Sequence, residues 1–257
     1  FTVSLLVMHL AGFRGRHERA GIALGTFGNT SFLPLFLIEI FPLSVPLIET
    51  TFGITPPLLY LGAFTIVQSP LLWAVANYLV SGKMGKPKFG DFISPPIFGI
   101  LAGLLVAALR IDHLIHDPMY PLFHLFNSLE NVGLVIFPLM IICLGAAIAD
   151  LEGETNVPKG TLYKMSFSVA SVRLLIFPLL FLALYFFFIR PLGLSPAHTW
   201  VLFLQMHIPP GTSLSIMALQ ANTNVEETAF VILVNYIIYL FVLPLYLIVL
   251  FSLPGLL

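Results

Sequence analysis

Two stretches of this chain place helix-breaking residues, flanked by small hydroxyl and amide side chains, in the middle of apolar runs. The first reads GIALGTFGNTSFLPLFLIEI, with Gly25, Gly28, Asn29, Thr30, Ser31 and Pro34 near its centre. The second reads WVLFLQMHIPPGTSLSIMALQA, with His207, Pro209, Pro210, Gly211, Thr212 and Ser213 near its centre. Proline has no N–H and clashes with the preceding turn, so a helix opens there and its carbonyls are freed. Each half-helix that restarts presents free N–H groups and partial positive charge, which suit an anion. The freed carbonyls suit a cation. A single proline kink is often only structural. Two such breaks, each followed by a loop and an unbroken apolar helix, form a repeated pattern. Paired interrupted helices of this kind build the binding sites of secondary transporters.

Three ionisable residues are candidates for ion or proton coupling: His207, Arg173 and Glu39. An ionisable side chain at membrane depth is a functional candidate by default. His207 directly precedes the second break and titrates near physiological pH, so it suits a proton or an anion; a structural histidine bonded to a freed carbonyl is the alternative. Arg173 lies seven residues into the apolar run that begins at Ser166. It is long enough to snorkel to the cytoplasmic face, or it faces the bound anion. Glu39 stands just over a helical turn beyond Pro34, near the membrane boundary, where an interfacial carboxylate is the simpler expectation. His113 and His116 stand three residues apart, a spacing that puts both on one face of a helix and suits a metal. No further ligands stand at a typical spacing, and solvated polar residues of an interfacial loop account for them equally. No metal and no cofactor is expected.

The elements that hold these residues are set by lipid. Of 257 residues, 58% are hydrophobic and 9% charged, and the mean hydropathy is +1.01. Ordinary soluble domains are about 25% charged, so a water-soluble fold of this composition could not cover its surface. A net charge of −1 gives no basic face for nucleic acid. The single cysteine, Cys143, allows no disulfide and no thiolate cluster; it reads as a small buried hydrophobe. The apolar runs do not alternate with period two, which excludes a transmembrane barrel. An intramembrane enzyme would need a Ser–His pair or paired aspartates in the membrane. Asp91 and Asp150 both fall at helix ends and no Gly-x-Ser-x-Gly occurs, so no enzymatic activity is expected.

Eight apolar segments follow: one ending near Gly12, then about 20–40, 56–80, 94–109, 132–149, 166–189, 197–221 and 228–250. Glu130 and Asn131 are expected at the start of the fifth, where an acid favours the helix dipole. One set of alternate connections carries Arg14, Arg16, Arg19, Lys83, Lys86, Lys88, Lys159 and Lys164, and the other carries only Arg110 and Arg190. The positive-inside rule assigns the first set to the cytoplasm. The C-terminus then falls on the non-cytoplasmic side. The expectation is a multi-pass protein of a plasma membrane or a bacterial inner membrane.

The second break, near Pro209, lies 115 residues after Ser94, whereas 28 residues precede Asn29. If the two halves are similar, roughly 85 residues precede this chain. The short apolar opening, FTVSLLVMHLAG, is then the tail of a helix. The expected fold is therefore an all-α polytopic membrane protein of inverted five-helix repeats with two crossing broken helices, its N-terminal helices missing from this chain. Residues 1–80 would be the C-terminal part of the first repeat, 81–93 a cytoplasmic linker and 94–257 the second repeat.

Four pieces in order resemble one family, the auxin efflux carrier or PIN-like permeases, related to bile acid, arsenite and riboflavin transporters. GTFGNTSFLPL resembles the family's Asn-containing crossover, ISPPIFGILAGLL the start of its sixth helix with Ser94 in place of the usual Asn, and FPLMIICLGAAIADL its seventh. LQMHIPPGTSLSIMALQANTNVEETAFVILVNYIIYLFVLPLYLI resembles its ninth and tenth. The resemblance implies a scaffold domain and a crossover domain, with an organic anion, auxin-like or a dicarboxylate, bound beside the crossing and moved by alternating access. By position it assigns Asn29 and Thr30 to the first crossover and Pro209 to Ser213 to the second. It also implies coupling to H+ or Na+ and a homodimer. A membrane sensor that binds a lipid or metabolite in the same fold without transport is the competing expectation.

Overall fold

The computed structural model describes residues 1–52, 57–81, 95–111, 113–149 and 157–253. The expected linker 81–93 lies outside these residues beyond Ser81, as do Ser94, Asp91 and Asp150, and the side chain of Cys143 is likewise outside the description. The elements are α1 (Thr2–Leu10), α2 (Gly15–Thr26), α3 (Phe32–Ser44), α4 (Pro46–Phe52), α5 (Leu58–Val80) and α6 (Pro95–Ala108). They continue with α7 (His113–His116), α8 (Pro121–Ala149), α9 (Lys159–Ile189), α10 (Pro196–His207), α11 (Ser213–Ala221) and α12 (Val225–Phe251). Among the described residues there is no β-strand, and α5, α9 and α12 are each long and apolar enough to cross a membrane. The protein is an all-α membrane protein. Large side chains such as Leu129, Leu139, Phe187, Leu240 and Phe241 stand exposed on its outer face, as expected where the surrounding solvent is hydrocarbon.

Both expected breaks are present. The first run is helical to Thr26, extended at Phe27, and helical again from Phe32. The second is helical to His207, extended at Ile208, and helical again from Ser213. Pro34 does not cause the first break, because it lies in the first turn of α3, where the N–H has no helical partner to lose. Pro209 and Pro210 do sit in the second, and their missing amides end α10.

Two apolar clusters hold the helices together. One gathers Leu37 and Ile38 of α3, Phe181 of α9, Trp200 and Phe203 of α10, and Tyr239 of α12. The other gathers Met8 of α1, Leu24 of α2, Met165 of α9, Met217 of α11 and Ile232 of α12. Each broken helix thus has one half in each cluster, and the breaks lie between them. The long helices α9 and α12 run through both.

The helix α8 begins at Pro121, well before the expected start near Val132. His124, Glu130 and Asn131 therefore lie within a helix, and Glu130 is exposed on its body rather than capping its start. Pro121 is pre-organised for a first helical position, and hydropathy alone, which set the expected boundary, does not register it. His113 and His116 do fall together on the short helix α7, and among the described residues no three metal-ligating side chains converge.

The pair α1 and α2 packs through small residues. A Cβ on Gly25 would come 2.9 Å from Ser4 Oγ, and one on Gly21 would meet the Met8 side chain. Gly21 and Gly25 form a Gly-x-x-x-Gly face, the device that lets membrane helices approach closely. Gly25→Leu should therefore destabilise the fold by about 1–3 kcal/mol. The expected result is a lower midpoint in a thermal melt of the purified protein in detergent; an unchanged midpoint would show that the α1–α2 contact is not held this way.

Candidate functional site

The two breaks meet. An isolated antiparallel bridge joins Gly28 to Pro210. The Asn29 amide donates to the Pro209 carbonyl at 2.9 Å, and the Gly211 amide donates to the Phe27 carbonyl at 3.0 Å. Proline at 209 and 210 leaves this pairing intact, because at these positions the bridge uses a proline carbonyl and not its nitrogen. Gly211 fits for a steric reason: a Cβ there would come 3.1 Å from the Gly28 carbonyl oxygen.

Three further carbonyls at the breaks are bonded by side chains. Gln205 Nε2, from α10, donates to the Thr30 carbonyl at 2.9 Å. Arg173 reaches in from α9 and serves both breaks: Nε donates to the Ile208 carbonyl at 2.8 Å and Nη1 to the Thr26 carbonyl at 3.3 Å. Arg173 is 2% exposed, and its guanidinium stands 5.3 Å from the centre of the Phe177 ring. It neither snorkels to a membrane face nor lines the open cavity. It belongs to a π-helical turn, Val172–Ile176, ahead of Pro178, whose missing amide cannot serve a regular α-turn. Turns of this kind recur at functional sites. A second π-turn, Leu72–Ala76 in α5, also borders the site.

On one side of the crossing lies a cavity of about 450 Å³, lined by Gly28, Asn29, Thr30, Ser31 and Phe32 of the first break and by Thr212, Ser213 and Ile216 of the second. Ser69, Leu72 and Trp73 of α5 complete the wall. The N-termini of α3 and α11 both border this cavity, beside the Ser31, Thr212 and Ser213 hydroxyls; at α11 the Leu214 and Ser215 amides donate to the Gly211 and Thr212 carbonyls. Asn29 is 5% exposed, and its Nδ2 donates to the Tyr236 hydroxyl of α12 at 2.6 Å.

The candidate residues thus divide. Asn29, Thr30, Ser31, Thr212 and Ser213 line the cavity. Pro209, Pro210 and Gly211 form the bridge behind it, and Pro34 is buried in α3. His207 is elsewhere: its Nδ1–H donates to the Phe203 carbonyl at 2.6 Å. Its ring lies 4.0 Å from that of Phe203, 4.6 Å from Tyr246 and 5.3 Å from Phe181. It lines a separate, apolar cavity of about 190 Å³. Glu39 is exposed on α3 and lines neither cavity. Gln205, a polar side chain four residues before the second break, is a possible lining residue from the sequence, as are His9, Gln68, Asn77, Gln220 and Asn235; it bonds the crossing instead, and none of the six lines the cavity. Tyr236 and the α5 wall of Ser69, Leu72 and Trp73 carry no such signal.

Residues 83–247 match the family described as membrane transport protein. The chain belongs to that family. The match takes in Arg173, the second break and Tyr236, and leaves the first break outside it. No curated protein and no solved structure matches the chain.

Gly28 is the tightest point of the crossing. A Cβ there would overlap the Arg173 guanidinium and come 2.6 Å from Ile208 Cγ2. Gly28→Ala should cost about 1–3 kcal/mol of stability as the guanidinium is displaced. Thermal unfolding in detergent checks this, and a midpoint equal to wild type would show that Arg173 does not pack against Gly28.

Proposed function

We propose that this membrane transport protein is a secondary carrier of a small organic anion, of the auxin efflux carrier kind, with its binding site in the cavity beside the crossed breaks. One observation carries the proposal. Two half-helix N-termini, five hydroxyl-bearing residues (Thr30, Ser31, Ser69, Thr212 and Ser213) and Asn29 border the same cavity, where the two breaks interrupt helical hydrogen bonding. Free N–H groups and positive helix ends favour an anion, and apolar walls from Phe32, Leu72, Trp73 and Ile216 suit an organic one. Alternating access would come from movement of the surrounding helices around this site. The inverted repeat, the cytoplasmic placement of the basic connections, the non-cytoplasmic C-terminus, coupling to H+ or Na+ and a homodimer all belong to this proposal.

Transport by proteoliposomes tests it. Wild-type protein should accumulate a labelled organic anion down an imposed H+ or Na+ gradient. Asn29→Ala, and separately the double variant Pro209→Ala/Pro210→Ala, should abolish that uptake while leaving folded protein in the membrane. Wild-type uptake by both variants would sink the crossover as the site. Tight anion binding with no flux under any gradient would instead favour a sensor.

A further inference from the structure

Arg173 is a full positive charge buried in the membrane-spanning part of the protein, and among the described residues no carboxylate pairs with it. Two of its nitrogens bond carbonyls at the C-terminal ends of α2 and α10. The third, Nη2, is buried and has no hydrogen-bond partner. It presses on Gly28, whose own backbone forms part of the cavity wall.

A broken helix places opposite partial charges close together. The C-terminal end at Thr26 is six residues from the N-terminal end at Phe32, and Ile208 is five from Ser213. Each end carries roughly half an elementary charge. Left alone, the two breaks would contribute opposed dipoles that nearly cancel at the cavity. Arg173 changes that balance. Its charge is about equal and opposite to that of the two C-terminal ends it bonds, so the two N-terminal ends are left uncompensated. A buried charge needs a counter-charge, and the cavity beyond Gly28 is where one has room to stand.

We propose that Arg173 is a positioning residue that sets the sign of charge accepted at the crossing: bonded to both half-helix C-termini behind Gly28, it makes the cavity selective for an anion without touching the ligand. This rests on the cavity being the ligand site and adds the residue that gives the site its charge preference.

The test uses the full chain in lipid nanodiscs and three probes of one shape: benzoate, benzyl alcohol and benzylamine. Wild type should bind benzoate at least tenfold more tightly than either of the others. Arg173→Lys keeps the charge but loses the forked hydrogen bonds; it should keep that order of preference even where affinity falls. Arg173→Gln keeps donors without charge and should lose the preference at least tenfold. Equal loss in the Lys and Gln variants would overturn the inference, since hydrogen bonding alone would then account for Arg173. So would wild-type preference in Arg173→Gln, or a wild-type chain that binds none of the probes. If the Gln variant does not fold, Arg173→Met removes the charge and leaves an apolar side chain of similar length; it should lose the preference, and retention overturns the inference. Benzoate uptake by proteoliposomes separates this idea from transport. Selective, Arg173-dependent binding without uptake would overturn transport alone. Uptake with unchanged selectivity in Arg173→Gln would overturn the role of Arg173 alone.

Discussion

The structure depends on how backbone carbonyls are satisfied where two helices are opened inside a membrane. Water is absent there, and each unbonded carbonyl costs several kcal/mol. The chain meets this with two devices. The breaks bond each other, Asn29 to Pro209 and Gly211 to Phe27. Side chains bond three more carbonyls, Gln205 that of Thr30 and Arg173 those of Thr26 and Ile208. Neither break could stand alone. A single opened helix would have no second strand-like segment to pair with and no reason to hold an arginine 35 residues before it in sequence.

Glycine and proline have different tasks at this crossing. The prolines end α10 by removing amides. Gly28 admits the Arg173 guanidinium, which any side chain would exclude, and Gly211 admits the opposite backbone, which a Cβ would crowd. The polar small residues then fall on the open side, so that the hydroxyls of Ser31, Thr212 and Ser213 share the cavity with the two helix N-termini. His207 illustrates the opposite case. Although adjacent to the break in sequence, its ring turns into an aromatic box and its Nδ1–H is committed to the Phe203 carbonyl.

Much of this was legible in the sequence because its signals are local. Proline and glycine mark breaks wherever they occur in an apolar run, and hydropathy marks spans, so both broken helices and the all-α class could be located from residue types alone. Their pairing rested on the idea of a repeat rather than on any local feature. The role of Arg173 was not legible. Its partners lie 35 and 147 residues away, and a lone arginine in an apolar segment reads equally as a snorkelling side chain. The direction in which His207 points was illegible for the same reason, since it depends on Phe181 and Tyr246 from other helices. The start of α8 was misplaced because a polar helical stretch looks like a loop to hydropathy.

The bonding at the crossing also bears on how an alternating-access cycle would work here. The backbone pairing of the breaks, and the arginine that bonds both, make the crossing a poor place for movement: sliding one break past the other would expose several carbonyls to hydrocarbon at once. The wall opposite is different. Ser69, Leu72 and Trp73 come from α5, which bonds neither break through any of these side chains and contains a π-turn at Leu72–Ala76. A π-turn already departs from the regular hydrogen-bond ladder, so changes of curvature there cost less than they would at the bonded crossing. The cavity therefore has one wall cross-linked by backbone and arginine hydrogen bonds and one wall, on α5, that packs against it without them.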